Sequence, residues 1–371
     1  VREVPRAKPP DFLVQPKSWP SPIEVLDALS CVVKDANPGY PGVLTGKTKF
    51  AYAMDDFPRF YSRVAARCLL LYYVRAQDMK PVTAAWCGFA DPVLVLLKNE
   101  LKKETKRTRV ILVPSVEDEV LERLFVDSAD SALKQTWGFH YSCIGIGFDE
   151  EDSDRLLKPF EARSTASSDV PAFDVTRSEP EEIFDQELSM RQYGFGRYAP
   201  QTLAFVQRGI LASRSLIVFS DGVLWEQLFP GTQKTGRRVT SKNNTSSRSR
   251  RALAVQAKIG VHGVVRSAGD DCLETHHPLN EQTYLELGFP IRDYEVNEDG
   301  AVEFCSHLFE PGRKPVGLRI HKGAANLLHA KDHLEERCHS FNLEYEDHPQ
   351  YGYVLRNLLR ISPTLAPWLL S

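Results

Sequence analysis

Apolar positions along this chain follow two rhythms. From Phe57 to Arg75 they recur at helical spacing, with Phe60, Val64, Leu69 and Leu71 on the stripe expected to be buried. Val93-Leu94-Val95-Leu96-Leu97 and Arg109 to Val113 are instead short continuous runs, which predict buried strands. Ser115-Val116-Glu117-Asp118 has the form of a capping box opening a helix through about Lys134. Cys143 to Phe148 is another apolar stretch, followed by an acidic helix start at Asp149. Glu161 to Val170, Ser-rich and polar, predicts a loop, and Pro200 to Ser213 predicts a helix. Leu216 to Phe219 and Val223-Leu224-Trp225 flank an Asp-Gly pair and predict a hairpin with a type I′ turn. Arg248 to Lys258 predicts an Ala-rich helix. Val261 to Arg266 and Cys272-Leu273-Glu274 predict two strands joined by a tight turn at Gly269-Asp270-Asp271. A short strand is expected after Gly288-Phe289-Pro290, then Phe304 to Phe309, then a helix-rich C-terminal region. The first stretch, of about 25 residues, is proline-rich and predicts an extended path over the surface. Asn37-Pro38-Gly39-Tyr40-Pro41-Gly42 is a strong turn signal, and no internal repeat is visible.

Composition narrows the class. The 371 residues are 42% hydrophobic and 26% charged, as in a globular protein large enough for two or three lobes around one centre. A net charge of -3 excludes a surface coated in basic residues, so nucleic-acid binding would need local basic patches. The seven cysteines are scattered and lack Cys-x-x-Cys spacing, which fits reduced thiols in an intracellular protein. No apolar run reaches the length of about 18 residues that a membrane helix needs, so no transmembrane segment is expected. No signal peptide opens the chain, and the missing initiator Met suggests a processed or partial sequence.

Candidate chemistry gathers on the predicted hairpin tip. Two carboxylates at such a tip suit Mg2+, which prefers hard oxygen ligands and substrate phosphates. Nucleotidyl transfer uses two such ions, held by carboxylates from sequence-distant strands. Asp270 supplies one, and Asp174, at the end of the apolar piece Ala172-Phe173-Asp174-Val175, supplies the other. Between them, Gly236, Thr240 and Asn244 follow a Gly-rich loop that permits close backbone approach. Thr240 and Asn244 lie one helical turn apart, and such side chains can read a ribose 2′-hydroxyl. Upstream, the run from Lys98 to Arg109 carries Lys98, Lys102, Lys103, Lys106, Arg107 and Arg109 between two predicted strands. It is either a solvated face or a ribbon that grips a triphosphate. Arg237-Arg238 either touches RNA backbone or solubilises its loop.

Taken in order, these motifs resemble those of a viral RNA-dependent RNA polymerase of the sobemovirus, barnavirus and polerovirus group, over roughly residues 35 to 330. The resemblance implies that Lys98, Arg107 and Arg109 form the nucleotide-entry motif and Asp174 the first metal motif. It makes Gly236, Thr240 and Asn244 the template- and ribose-sensing motif, and Asp270 with Asp271 the second metal motif. Phe304-Cys305-Ser306-His307 resembles the primer grip, and Asn37 to Pro41 the template-entry turn. The implied fold is α+β, a right hand with an antiparallel palm sheet backed by helices. Its parts would be an N-terminal extension and fingers (1–165), palm (166–190), fingers insertion (191–232), palm (233–309) and a short helical thumb (310–371). The implied cofactors are two Mg2+ or Mn2+ ions, and the partners are RNA template, nascent RNA and nucleoside triphosphates, with a protein primer an open option. The implied place of work is the host cytoplasm, in a replication complex that membranes can organise.

Two departures from the group stand out. Where it commonly has a second Asp five residues after the first, this chain has Glu179, which either checks the ribose or belongs to a helix cap. The usual general-acid Lys is replaced by Arg292, a group better suited to electrostatic stabilisation than to proton delivery. A reverse transcriptase and a catalytically silent RNA-binding fold are the alternatives. The Gly236/Thr240/Asn244 series counts against the first, and Asp174, Asp270 and Asp271 count against the second. His329 and His333, with Cys338-His339, are either surface residues of a thumb helix or a zinc site.

Overall fold

The computed structural model describes residues 5–98, 108–161, 163–297 and 300–370. Strands among them are β1 (Val93–Leu97), β2 (Val110–Val113), β3 (Thr165–Asp169), β4 (Leu216–Val218) and β5 (Leu224–Glu226). They continue with β6 (Val265–Ala268), β7 (Asp271–Thr275), β8 (Arg292–Asn297), β9 (Val302–Phe304), β10 (His307–Phe309) and β11 (Val316–Gly317). They form three sheets, in the orders β2-β1-β4-β5, β6-β7-β3-β8 and β11-β10-β9. All pairs are antiparallel except β1 with β4. With helices as the larger share, the fold is mixed α+β.

The main core lies under the helices Pro22–Ser30, Phe57–Leu70, Val116–Gln135 and Pro200–Ser213. Phe125 stands at its centre, edge-on to Phe12 at 5.5 Å and stacked on Phe205 at 4.8 Å. The predicted surface path of the N-terminal stretch is therefore corrected in part. Phe12 and Leu13, on a one-turn helix, enter this core, because burying two large apolar side chains outweighs the propensity of the flanking prolines. Ser115 caps the helix Val116–Gln135 by accepting from the Asp118 N–H at 3.2 Å.

Three further expectations change. The segment read as a loop from Glu161 to Val170 contains β3, the strand between β7 and β8. Thr165, Ala166, Ser167 and Ser168 are all buried, and their pairing on both sides makes the strand, with no apolar alternation to announce it. The helix expected from Arg248 begins at Thr240. Asn243, Thr245, Ser247 and Arg248 are fully buried in its first turns, so polar side chains do what an apolar stripe does elsewhere. The Asp221-Gly222 turn is part of a five-residue connection, since the last ladder pair is Val218 with Leu224.

After β11 the helices Ile320–Leu328, Leu334–Tyr345 and Tyr351–Ile361 close over their own core of Ile320, Leu327, Phe341, Val354 and Leu358. His329 lies beyond the first of these helices and His333, at φ +52°, caps the second. They share no helical face, which removes the geometry the zinc option needed. Among the described residues no helix is long and apolar enough to cross a membrane.

Candidate active site

The Gly269-Asp270 pair forms a two-residue loop, with Ala268 paired to Asp271 across the hairpin of β6 and β7. Gly269 takes φ +66°, which a glycine adopts without a Cβ clash. β3 runs beside β7 with Ser168 opposite Cys272, so the next residue, Asp169, ends at the same edge of the sheet as Asp270 and Asp271. Asp169 was missed by the reading of its segment as a loop. The signal was present: Asp169 and Asp174 have the five-residue spacing of paired acids that was sought instead at Asp174 and Glu179.

The three carboxylates act on one another. Burial raises the proton affinity of Asp270, and the charges of Asp169 and Asp174 raise it further, against the opposing Arg109 guanidinium. Burial likewise pushes Asp271 up to about 6, helped by Asp270 and Asp169. Arg292, the register partner of Asp169 on β8, bonds the Asp169 carboxylate through Nη2 and reaches Asp293 through Nε at 3.1 Å. A cleft of about 440 Å3 opens beside them, lined by Asp169, Asp271, Arg292, Asp293, Phe304 and Arg319. The β9–β10 turn borders it. Cys305 and Ser306 there both take positive φ, and Cys305 lies beside Asp271.

One helix, Thr240–Ile259, ties the carboxylate-bearing segments together. Asn244 Nδ2 donates to Asp174 Oδ1 at 2.9 Å. Asp174 itself sits on the one-turn helix Phe173–Thr176 after a left-handed Ala172, and burial raises its carboxyl while the Asn244 bond opposes that. The Gly269 N–H donates to Thr245 Oγ1 at 2.8 Å, fixing the hairpin tip. Arg251 donates to the Thr176 carbonyl and hydroxyl, both at 2.9 Å. Thr240 turns inward instead, its hydroxyl bonded to the Lys234 and Arg237 carbonyls at 2.9 Å. Gly236 makes its close approach to β2: its N–H meets the Leu112 carbonyl at 2.9 Å, and a Cβ would lie 3.0 Å from that oxygen.

Other predicted residues stand apart from the carboxylates. Glu179 receives Arg214 at 2.7 and 2.8 Å and Ser213 at 2.8 Å; burial raises its carboxyl, but these bonds outweigh it and hold it below the usual range. Its neighbour Ser178 forms the helix cap with Glu181. Arg237 is buried between Glu122 (2.7 Å) and Glu182 (2.6 Å), and Arg238 pairs with Asp127 at 2.6 Å. Both are thereby engaged within the protein, neither solubilising a loose loop nor standing open to RNA. At the ends of β1 and β2 the Lys98 N–H donates to the Arg109 carbonyl at 2.9 Å, which sets the two basic residues side by side. Arg107 lies outside the described residues.

The donor set suits Mg2+ or Mn2+. It offers only hard carboxylate oxygens, and their mutual repulsion, recorded in the raised Asp271, is what a bound cation would relieve. Among the described residues no three ligating side chains have closed around a common point, and Arg292 meets the charge of Asp169.

No family model matches the chain. It is similar to the replicase polyprotein P2AB of Southern bean mosaic virus, 26% identical over 299 residues, 75% of this chain and 30% of that protein. It is 28% identical over 255 residues to protein P1-P2 of Turnip yellows virus, 64% of this chain and 24% of that protein. It is 25% identical over 297 residues to the RNA-directed RNA polymerase of Mushroom bacilliform virus, 75% of this chain and 70% of that protein. The chain thus spans under a third of the length of the first two. Its homologues, over most of its length, are the replicase and RNA polymerase proteins of the sobemovirus, polerovirus and barnavirus group.

Proposed function

We propose that this chain is a template-directed RNA polymerase that joins ribonucleotides to an RNA 3′ end in the replication of a positive-strand RNA virus. The observation that carries the reading is the meeting of Asp169, Asp270 and Asp271 at one edge of the β6-β7-β3-β8 sheet, beside the Asp174–Asn244 pair. This sheet would be the palm. The β2-β1-β4-β5 sheet with the N-terminal helices would be the fingers, and the helices after residue 310 the thumb.

Asp169 and Asp270, supported by Asp271, would hold Mg2+ or Mn2+, and bound ions would supply charge that eases loss of the 3′-hydroxyl proton and offsets charge gathering on pyrophosphate. Lys98 and Arg109, with Arg107 by resemblance, draw the triphosphate toward Asp270. Arg292 can exchange Asp169 for substrate phosphate, giving electrostatic stabilisation without proton transfer. Asp174 and Asn244 check the ribose. The Asn244 Oδ1 is buried without a hydrogen-bond partner among the described residues, and a 2′-hydroxyl is a donor that would suit it once the side chain turns outward. Glu179, engaged by Arg214, has no part in this check.

Extension of a primed RNA template with NTPs and Mg2+, beside an Asp270→Ala control, tests the reading. Extension that the substitution abolishes supports it. RNA binding without extension under Mg2+ and Mn2+ alike refutes it in favour of a silent fold.

A further inference from the structure

Arg248 is fully buried on the helix Thr240–Ile259, and its guanidinium bonds three separate elements. Nε reaches the Asp270 carbonyl at 3.3 Å, at the hairpin tip. Nη2 bonds the hydroxyl of Ser168, the residue before Asp169 on β3. Nη1 bonds the Tyr284 hydroxyl at 2.9 Å, and Tyr284 in turn donates to Glu274 at 2.9 Å. All three bonds of Arg248 therefore go to neutral oxygens. A buried guanidinium so partnered is an expensive way to hold a fold together, since its desolvation is not offset by a carboxylate at bonding distance. What it gives is geometry. The guanidinium is planar, and its N–H groups diverge at fixed angles, so two bonds from one fork set the distance between their acceptors. Here the acceptors lie on the two chain segments that present Asp169 and Asp270. Of the other ties of the helix, that from Thr245 reaches only the hairpin tip, and those from Asn244 and Arg251 reach the separate segment Phe173–Thr176.

We propose that Arg248 is a positioning residue: its fork fixes the separation of the Asp169 and Asp270 carboxylates, and through it the affinity of the cluster for a divalent cation. The inference rests on the polymerase reading for its purpose, but its physical content is cation binding. The cost of disturbing a support of this kind is commonly ten-fold or more in metal affinity.

The test is Mn2+ titration of the whole chain, followed by electron paramagnetic resonance, beside thermal melting. Ser168→Ala removes the arm on the Asp169 segment with little change of volume, and Arg248→Lys replaces the fork by a point charge. Both should weaken Mn2+ binding about ten-fold or more. Tyr284→Phe removes the arm that leads away from the carboxylates, so it should lower the melting temperature and leave Mn2+ binding unchanged. If all three variants weaken Mn2+ binding in proportion to their loss of stability, Arg248 is only structural and the proposal falls. It falls equally if the unaltered chain binds no Mn2+, or if Ser168→Ala binds it as the unaltered chain does. In an extension assay, Ser168→Ala should lower kcat with KM for NTP held. A chain that extends no RNA but shows the expected Mn2+ pattern overturns the polymerase reading and leaves the positioning role standing.

Discussion

Asn244 Nδ2 donates to Asp174 Oδ1 at 2.9 Å, joining a helix to a one-turn segment 70 residues earlier in the chain. Under the proposed function this pair checks the ribose, and losing a hydrogen bond to a 2′-hydroxyl costs about 1–3 kcal/mol. Asn244→Ala and Asp174→Ala should therefore lower the ratio of kcat/KM for NTP over dNTP by about five-fold or more. Glu179→Gln should leave that ratio alone. Its loss is the partly exposed Arg214 pair, about 1 kcal/mol or less of stability. Single-nucleotide incorporation kinetics with both sugars checks this, and equal effects at Asn244 and Glu179 would contradict it.

The raised Asp271 predicts a pH dependence with a definite sign. Its folded-state value of about 6 exceeds the ordinary 3.8, so folding favours the protonated form. The stabilising contribution is full below about pH 4 and is lost as pH rises through about 6. Above that, the cation-free protein carries a penalty on the order of 2–3 kcal/mol. A bound cation removes the penalty and must compete with the proton. The rise in melting temperature on adding Mn2+ should accordingly grow between about pH 5 and about pH 7.5. In Asp271→Asn the growth should flatten. A melting shift that is flat with pH in the unaltered chain would count against the cluster as the cation site.

What the sequence disclosed, and what it hid, follows from how each element is buried. β1, β2 and the helix Pro200–Ser213 are read from apolar runs, although the outer ends of β1 and β2 at Leu97 and Val110 are exposed. The β6–β7 hairpin is read from its Gly-Asp tip, with β6 beginning at Val265 and not at the expected Val261. β3 and the first turns of the helix Thr240–Ile259 are buried through Ser, Thr, Asn and Arg side chains that bond one another, which leaves no periodic apolar signal. The site straddles that divide. Asp270 and Asp271 stand out at the tip of a legible hairpin, whereas Asp169, which reaches the same sheet edge, ends the illegible strand. Partners remote in sequence, such as Arg214 for Glu179 and Arg292 for Asp169, carry no local pattern at all.

Gly231 ties the loop before Gly236 to the rest of the site. Its φ is +119°, and a Cβ there would lie 2.4 Å from the Arg177 carbonyl oxygen. Lys234, buried and pushed down to about 7 by burial, bonds the Gly231 carbonyl at 3.1 Å. Gly231→Ala combines a strained backbone with a backbone clash, so it should cost at least the roughly 1–3 kcal/mol of such strain. Gly222→Ala, at φ +85° but facing open space, meets the strain alone and should cost less. Urea denaturation of the two variants checks the order, and an equal or reversed order would refute it.

Glu122 is the junction between the site loop and the main core. It is fully buried, and it accepts from Arg208 at 3.1 and 3.2 Å and from Arg237 at 2.7 Å. Arg237 lies between Gly236 and the helix of Asn244 and also bonds Glu182 at 2.6 Å, while Arg208 reaches Asp118 at 3.4 Å. Glu122→Gln keeps the shape but removes the charge, leaving two buried guanidinium groups with too little negative charge between them. Breaking a buried pair in this way costs about 3–5 kcal/mol. The exposed Arg197–Glu187 pair is the control: Glu187→Gln should cost about 1 kcal/mol or less. Because Arg237 holds the start of the helix that carries Asn244, Glu122→Gln should also lower ribose discrimination, although Glu122 itself does not contact Asp174 or Asn244. Denaturation and incorporation kinetics on the same sample separate these effects. A large loss of stability with the NTP to dNTP ratio unchanged would show that the helix keeps its place without the Arg237 anchor.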